Sequence, residues 1–570
     1  MIGVSVREGE EGIAREFFEL FKTPWEFCRG NGIYDVVVDT TGGAGRTGAK
    51  ATVVFSSDVT PWDEGGRCIP LKGGATVVST GGGEKLPLFG KLLLFEGRKM
   101  PLLHTEEQGG VAGHVEPCRK TILLRIGYDL FREIGHLLTM GQEKKFSRFP
   151  TADLHILLLR NWILGSGVPV VEIPPKPPGC PFIVCLTHDV DFYSIRKHFL
   201  DHTFWGFLYR GTLSTFIEFL RKRCTFDKVA ANWAAVLLLP FVYLGLVPDY
   251  WTQFQRYRSI EKDLHGTFFI VPFKNRAGQG FSSGGMRATR YDIGDVEREM
   301  SPLLSSGFEI GVHGIDAWCD PDRGRLERER ISGVSGQEEA GIRMHWLRLD
   351  GNSFRCLEKA GYRYDTTVGY NDAAGFRAGT AQVYRPIGAE KLLELPLNIQ
   401  DTALFYPDRM NLDEKEAMET VEDLVRTVER TGGVLTVNWH QRSLAPERLW
   451  EDFYLALLDR LRKSVPWFTT AIDAVRWFEK RRSVVFGPAR REPESLNLEL
   501  KVEGDGTVPE LLLQVHLPET REEKNSFRLP AGGGRRIDIP ISGNGSIALS
   551  LKSTDFAKEQ SGKPWPSTSA

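Results

Sequence analysis

The chain has 570 residues, 41% hydrophobic and 26% charged, with a formal net charge of −2; that is the make-up of an ordinary soluble globular protein, too long for one core. Near-neutral charge and a pI near 6.7 remove the electrostatic case for nucleic acid as a partner. Eight cysteines without a CxxC pair fit free thiols in a reducing compartment better than a disulfide scaffold, and the first eleven residues lack the basic and apolar regions of a signal peptide, so a cytoplasmic protein is expected.

Residues 1–175 read as an N-terminal α/β domain whose role the sequence does not state. Strand-like runs lie at 33–38 and 51–55, and helix-like runs at 126–138 and 152–163. Glycine-rich patches at 41–46 and 79–83 invite a phosphate-loop reading. Neither continues into Gly-Lys-Ser/Thr, so both are expected to be loops. A proline-rich spacer, 173–181, then leads into the apolar run 182–186, a buried strand by length and flanks. It runs on into His188-Asp189-Val190-Asp191. Side chains alternate along a strand, so Asp189 and Asp191 leave on one side, His188 and Val190 on the other. Two neighbouring carboxylates repel unless a cation or proton lies between them.

An insertion of about 192–262 follows. Within it, 229–248 carries no charge and is long enough for a membrane span, although Asn232, Pro240 and Gly245 weaken that reading. A single span would also separate Asp191 from the later histidines. Two readings stay open: a buried helical hairpin, or a peripheral, monotopic membrane contact with a lipid-linked substrate, which the basic run Arg221-Lys222-Arg223 would suit. From 266 onward strand and helix patterns alternate. A strand at 308–313 ends on His313 and one at 434–440 ends on His440. Helices are expected at 296–304, 353–360, 413–430, 449–462 and 470–481. The 413–430 helix carries Met418, Val421, Leu424, Val425 and Val428 at helical spacing and stops at Gly432-Gly433. Such alternation predicts a parallel sheet or a (β/α) barrel over 179–485. Period-2 runs at 496–502, 536–541 and 546–551 predict a small antiparallel β module over 490–553, and the tail 554–570 is expected to be disordered.

Asp189, Asp191, His313, Arg343-Met344-His345 and His440 therefore all lie near predicted strand ends. Asp, His and His are donors for a zinc-type divalent site with an open position. Taken together the region 180–485 resembles the polysaccharide deacetylase family of metal-dependent carbohydrate esterases. Asp189-Val190-Asp191 resembles the first family motif in its Asp-x-Asp variant, Gly266-Thr267-Phe268-Phe269 the strand that follows, and Glu309-Ile310-Gly311-Val312-His313-Gly314 the second motif. Leu395-Pro396 with Asp401 resembles the fourth, and Asn438-Trp439-His440 the last. The stretch from Gly341 through 361–365 to 375–379 resembles a subgroup met with exopolysaccharide synthesis.

That resemblance implies a distorted (β/α) barrel with its site at the strand carboxyl ends. It implies a divalent metal, Zn2+ before others, on Asp191 and His313, with Asp189 as general base and His440 as general acid. Arg343 and Asp401 would orient those two, and Trp318, Tyr370, Arg377 and Trp439 would contact substrate. The family's second motif has a second histidine four residues on, where this chain has Ala317. His345 is expected to replace it, with Asp316 in reserve. The implied activity is removal of an N-acetyl group from an N-acetylhexosamine-containing saccharide. The alternatives are a non-catalytic sugar-binding protein on a decayed scaffold and a hydrolase of a non-sugar C–N bond.

Overall fold

A computed structural model describes residues 1–552 apart from 31, 44–47, 108, 119–120, 281–286, 488–489, 493–494, 504–505, 519–526, 530–534 and 542–544. The tail 554–570 and part of the 41–46 patch lie outside the described residues. The chain divides into two compact units, one of Met1–His136, Thr151–Pro178 and the residues from Arg476 on, the other of Leu137–Pro150 and Gly179–Val475.

The first unit holds an eleven-stranded mixed sheet. Val36–Asp39 and Ala51–Phe55 pair parallel with each other. Beyond Thr121–Ile126 the pairing turns antiparallel, so the α/β pattern describes only part of this unit. The helix expected from 126 begins at Leu130, because Ile126 is still a ladder residue. The 79–83 patch turns a hairpin between Thr76–Thr80 and Lys85–Leu88, with Gly83 at φ 82°. The strands expected beyond 490 do not stand apart. Leu511–Leu517 pairs with Arg535–Ile541 on one side and with Val170–Glu172 on the other, so the ladder groups of that short strand are satisfied from the far end of the chain.

The second unit is built on one parallel sheet. Ile183–Val190 is buried at every position, as a strand covered on both faces must be. Thr267–Ile270 and Val434–Asn438 pair parallel on either side of it. On the first side the sheet continues through Glu309–Gly314, Gly341–Met344 and Tyr364–Asp365 to Leu393–Glu394. On the other it continues to Ile399–Gln400. These two end strands belong to one stretch of chain, so the sheet curls until 395–398 joins its edges. The Leu395 and Leu397 amides donate to the Asp365 and Val368 carbonyls, while the Asn398 amide donates to that of Thr436. All the carboxyl ends consequently face one rim. Gly341 leaves room for the Tyr364 ring against its strand, since a Cβ there would lie 1.9 Å from that ring.

The insertion forms two helical arms. His202–Tyr209, a π-turn at Arg210–Ser214 and Thr215–Leu220 run out, and Phe226–Tyr243 returns. A hairpin was expected here, but a buried one. Only 28% of the returning helix is buried, through a stripe that includes Val229, Asn232, Leu239 and Val242.

Candidate metal centre

Asp191 follows the Ile183–Val190 strand, His313 is the penultimate residue of Glu309–Gly314, and His345 follows Gly341–Met344. Although 122 and 154 residues separate the histidines from Asp191 in sequence, one ligating atom of each of the three groups lies within 4.8 Å of the others. Asp191 Oδ1 is 3.2 Å from His313 Nε2 and 3.3 Å from His345 Nε2. Tetrahedral ligands at about 2.0–2.2 Å from a common ion stand about 3.3–3.6 Å apart, so the two carboxylate–imidazole spacings are close to those of a shared cation. The tautomer of His313 carries the same message. Its Nδ1 lies 3.1 Å from the Arg343 carbonyl, which can only accept, so the neutral ring bears its proton on Nδ1. Its Nε2 lone pair then faces a carboxylate oxygen, which requires a proton or a metal between the two. Burial pushes the His345 imidazole toward its neutral, ligating form, although Asp191 opposes this. Burial would raise the Asp191 carboxyl, but the neighbouring imidazoles of His313, His345 and His440 hold it well below the usual carboxylate range. The donor set and its outer support fit a divalent ion with an open position.

The acid–base groups flank this point. Asp189 Oδ1 accepts from Arg343 Nη1 at 2.9 Å, and its Oδ2 accepts from Asn438 Nδ2 at 2.8 Å. Arg343 is fully buried and also donates to Thr187 Oγ1 and to the Thr366 carbonyl and hydroxyl. Burial would raise the Asp189 carboxyl, but Arg343, His313 and His440 bring it below its ordinary value, so it is a carboxylate. On the opposite side Asp401 Oδ1 lies 2.6 Å from His440 Nδ1, and its Oδ2 accepts from the His440 amide at 2.7 Å and the Ser443 hydroxyl at 2.5 Å. That clamp leaves His440 Nε2 facing the site, 3.6 Å from Asp191 Oδ2. Burial disfavours its charge, but Asp401, then Asp191 and Asp189, outweigh it and raise His440 to about 9. An acid–base pair of this kind beside an open metal position is suited to hydrolysis.

No family model matches the sequence, and no curated protein does. Among solved structures, a chain from Mycobacterium smegmatis assigned as a polysaccharide deacetylase matches 56% of this chain and 100% of its own, at 18% identity and TM-score 0.34. An allantoinase matches 53% of this chain and 93% of its own, at 15% identity and TM-score 0.33. A CE4 family pseudoenzyme from Bacillus anthracis matches 53% of this chain and 70% of its own, at 10% identity and TM-score 0.25. Polysaccharide deacetylases are thus among the solved structures similar to this chain.

Asp316 stays outside the triad. Its carboxylate accepts from the Gln279 amide and from Arg323, at 2.7 and 2.8 Å. Ala317 is buried against Gly324, where even an added Cβ would come within 3.0 Å of it. A cavity of about 440 Å3 opens over the triad, and among the described residues none of the four expected substrate contacts lines it. Trp439 is fully buried and stacked on Tyr454 at 4.9 Å. Tyr370 donates to the Gln142 carbonyl, and Arg377 to that of Gly369. Trp318 lies under the Arg348 guanidinium. The cavity wall is made instead by Phe192, Trp346, Asn371, Tyr406, Arg409 and Arg442. Burial would raise the Tyr406 phenol, but Arg448, Arg442 and His440 bring it down to about 8. Trp346, 42% exposed, holds φ 64° directly after His345 of the triad, a left-handed conformation uncommon for a bulky residue and typical of functional positions. Alternation could have found one missed residue. Asn438 lies two before His440 and so shares its side, which also sends Trp439 into the core. Tyr406, Arg409 and Arg442 carry no such local signal.

Proposed function

We propose that this protein is a metal-dependent hydrolase that removes an N-acetyl group from an N-acetylhexosamine-containing saccharide, within the Asp-x-Asp, exopolysaccharide-associated subgroup that its motifs resemble. The observation that carries this reading is the triad of Asp191, His313 and His345 flanked by two independently clamped acid–base groups. A divalent ion such as Zn2+ held there would supply Lewis-acid polarisation of the amide carbonyl and lower the pKa of a water. Asp189, ionised and fixed by Arg343 and Asn438, accepts a proton from the attacking water. A recess of about 20 Å3 between Asp189, Asp191, Thr402 and His440 has room for one such molecule. His440 carries its proton on Nε2 toward the site and delivers it to the departing amine, while Asp401 keeps the ring oriented and stabilises its charged form.

Two features favour a sugar over a small non-sugar amide. The cavity is large, and Phe192, Trp346 and Tyr406 give its wall aromatic surface for pyranose faces. Against a decayed scaffold, His345 supplies the donor that Ala317 lacks. The test is acetate release from a panel of N-acetylated saccharides, with and without chelator. Release that chelator abolishes and Zn2+ restores is expected. Saccharide binding by a fully metallated protein that releases no acetate would replace the hydrolase with a binding protein.

A further inference from the structure

The helical hairpin rises from the carboxyl rim just after Asp191 and comes back to it, where the Ser194 hydroxyl and the Ile195 amide donate to the Asp249 carboxylate, before the chain crosses to the amino end of the parallel strand that starts at Thr267. On its outgoing arm Trp205, Tyr209, Leu213, Phe216 and Leu220 are exposed. Their spacing of four, four, three and four residues is one face of a helix. The returning arm exposes Phe226, Trp233, Leu237 and Phe241, with Leu244 just beyond its end, again on one face. Leu213 and Phe216 meet Trp233 and Leu237 across an open apolar groove of about 460 Å3. The two stripes thus form a continuous apolar surface turned to the solvent.

Another helix of this unit shows how unusual that is. Glu414–Thr431 is also 18 residues long, buries one apolar stripe and carries nine charged residues. Phe226–Tyr243 carries two, both in its first turn, and no charge follows until Asp249. An uncharged exposed face suits a medium that is not water. The bordering charge indicates which. Residues 192–253 hold seven Lys and Arg against four Asp and Glu, although the chain as a whole is slightly acidic. At the turn between the arms stand Arg221, Lys222 and Arg223, all exposed, with Glu218 paired to the two arginines.

We propose that this hairpin docks on the surface of a lipid bilayer bearing anionic headgroups, with its aromatic and aliphatic stripe in the interface and its basic turn among the phosphates. Trp and Tyr beside aliphatic residues, bordered by Lys and Arg, are what such a surface recognises. The hairpin lies on the bilayer and does not cross it. Phe226–Tyr243 is long enough to cross by length alone, but the hairpin is closed at its base by Ser194 and Ile195 on Asp249, so a single crossing is excluded, and a double one would carry Arg221, Lys222 and Arg223 through the hydrocarbon. A second copy of this chain is the poorer occupant, since its net positive hairpin would meet another like itself. Asp201, His202 and Thr203, at the start of the outgoing arm, also line the cavity over the triad. Docking therefore brings the mouth of the site to the headgroup layer. This holds whatever reaction the triad performs.

Flotation of the full chain with phosphatidylcholine vesicles, with and without phosphatidylglycerol, tests it. The protein is expected to float with vesicles, more tightly when phosphatidylglycerol is present, and to be released by carbonate. The triple substitution Leu213→Glu, Trp233→Glu, Leu237→Glu changes only exposed positions and should lower the partition coefficient by about ten-fold or more. The substitutions Arg221→Gln, Lys222→Gln, Arg223→Gln should remove the preference for phosphatidylglycerol while keeping apolar partitioning. Circular dichroism and urea unfolding establish that both variants are folded. Failure of the wild type to float, equal flotation of the folded Glu variant, or resistance to carbonate would each overturn the proposal. A dimer in solution that the Glu substitutions convert to monomer would give the face to a second copy instead.

Discussion

Asp189 and Asp191 stand two residues apart on one strand end, and their neighbours set them different tasks. Asp191 meets two imidazole nitrogens, whereas Asp189 meets a guanidinium and a side-chain amide. Asp191→Asn removes a charge from the donor triad, so metal affinity should fall by more than about 100-fold. Asp189→Asn leaves every donor in place and should retain most of the metal while losing about 10²–10⁴ in rate. Metal stoichiometry and acetate release on both variants decide this, and loss of metal by the Asp189 variant alone would reverse the assignment. Asp401 gives a second test. Burial opposes the charge on His440, and the Asp401 carboxylate is the first of the groups that overcome it to reach about 9. An acid with a raised pKa keeps its proton up to that value and loses it above. In Asp401→Asn the opposing burial remains, so the alkaline limb of kcat/KM should move to lower pH. A bound cation depresses both proteins alike, so the comparison is between them. An unmoved limb would mean that another group is the acid.

Elements place these residues, and their stability is separable from the chemistry. The Glu414–Thr431 helix begins with a capping box in which the Asp413 side chain accepts from the Glu416 amide at 2.9 Å and Glu416 answers the Asp413 amide at 3.0 Å. The buried face from Ala417 to Val428 then packs behind the parallel sheet core. Asp413→Ala should cost about 1 kcal/mol of stability, the usual worth of such a cap, and leave metal content unchanged. Urea unfolding measures the first and metal analysis the second. Loss of metal in this variant would show that the helix does more than cover the sheet.

At the scale of the whole second unit, Glu309 ties distant segments together. Its two oxygens accept from the Thr267 and Tyr364 hydroxyls and from the Ile472 amide, at 2.8–2.9 Å. Burial raises its carboxyl to about 7, although those bonds oppose the rise. Between about 4.5 and 7 the folded chain therefore binds the proton more than the unfolded chain does. Its contribution to stability is full below about 4.5 and is lost as pH rises through about 7. Glu309→Gln cannot titrate. Wild type should consequently lose stability relative to this variant, on the order of 1–3 kcal/mol, between pH 5 and pH 8. Parallel urea curves at both pH values check this, and an unchanged difference would refute it. Buried histidines that titrate nearby affect both proteins equally and cancel.

What the sequence by itself determined is local. Alternation over a few residues put Asp189 and Asp191 on one side of their strand and His188 on the other, because a strand's backbone geometry repeats every two residues. The same rule, applied to 434–440, would have sent Trp439 inward and shown Asn438. Helix spacing and caps located the 353–360 and 413–430 helices to within a residue. Tertiary structure decided what depends on groups far apart in the chain. His345 was the expected replacement and Asp316 stayed in reserve, until Arg323 and the Gln279 amide proved to hold Asp316 elsewhere. The aromatic and basic cavity wall gathers Phe192, Trp346, Tyr406 and Arg442 from segments that no short-range period relates. Likewise the uncharged stretch at 229–248 reads the same whether it is buried or exposed. Only the packing of one face, which leaves the other uncovered, turns it from a core helix into a surface. A period is written within one segment, whereas which surfaces meet is settled by the sum of contacts across the fold.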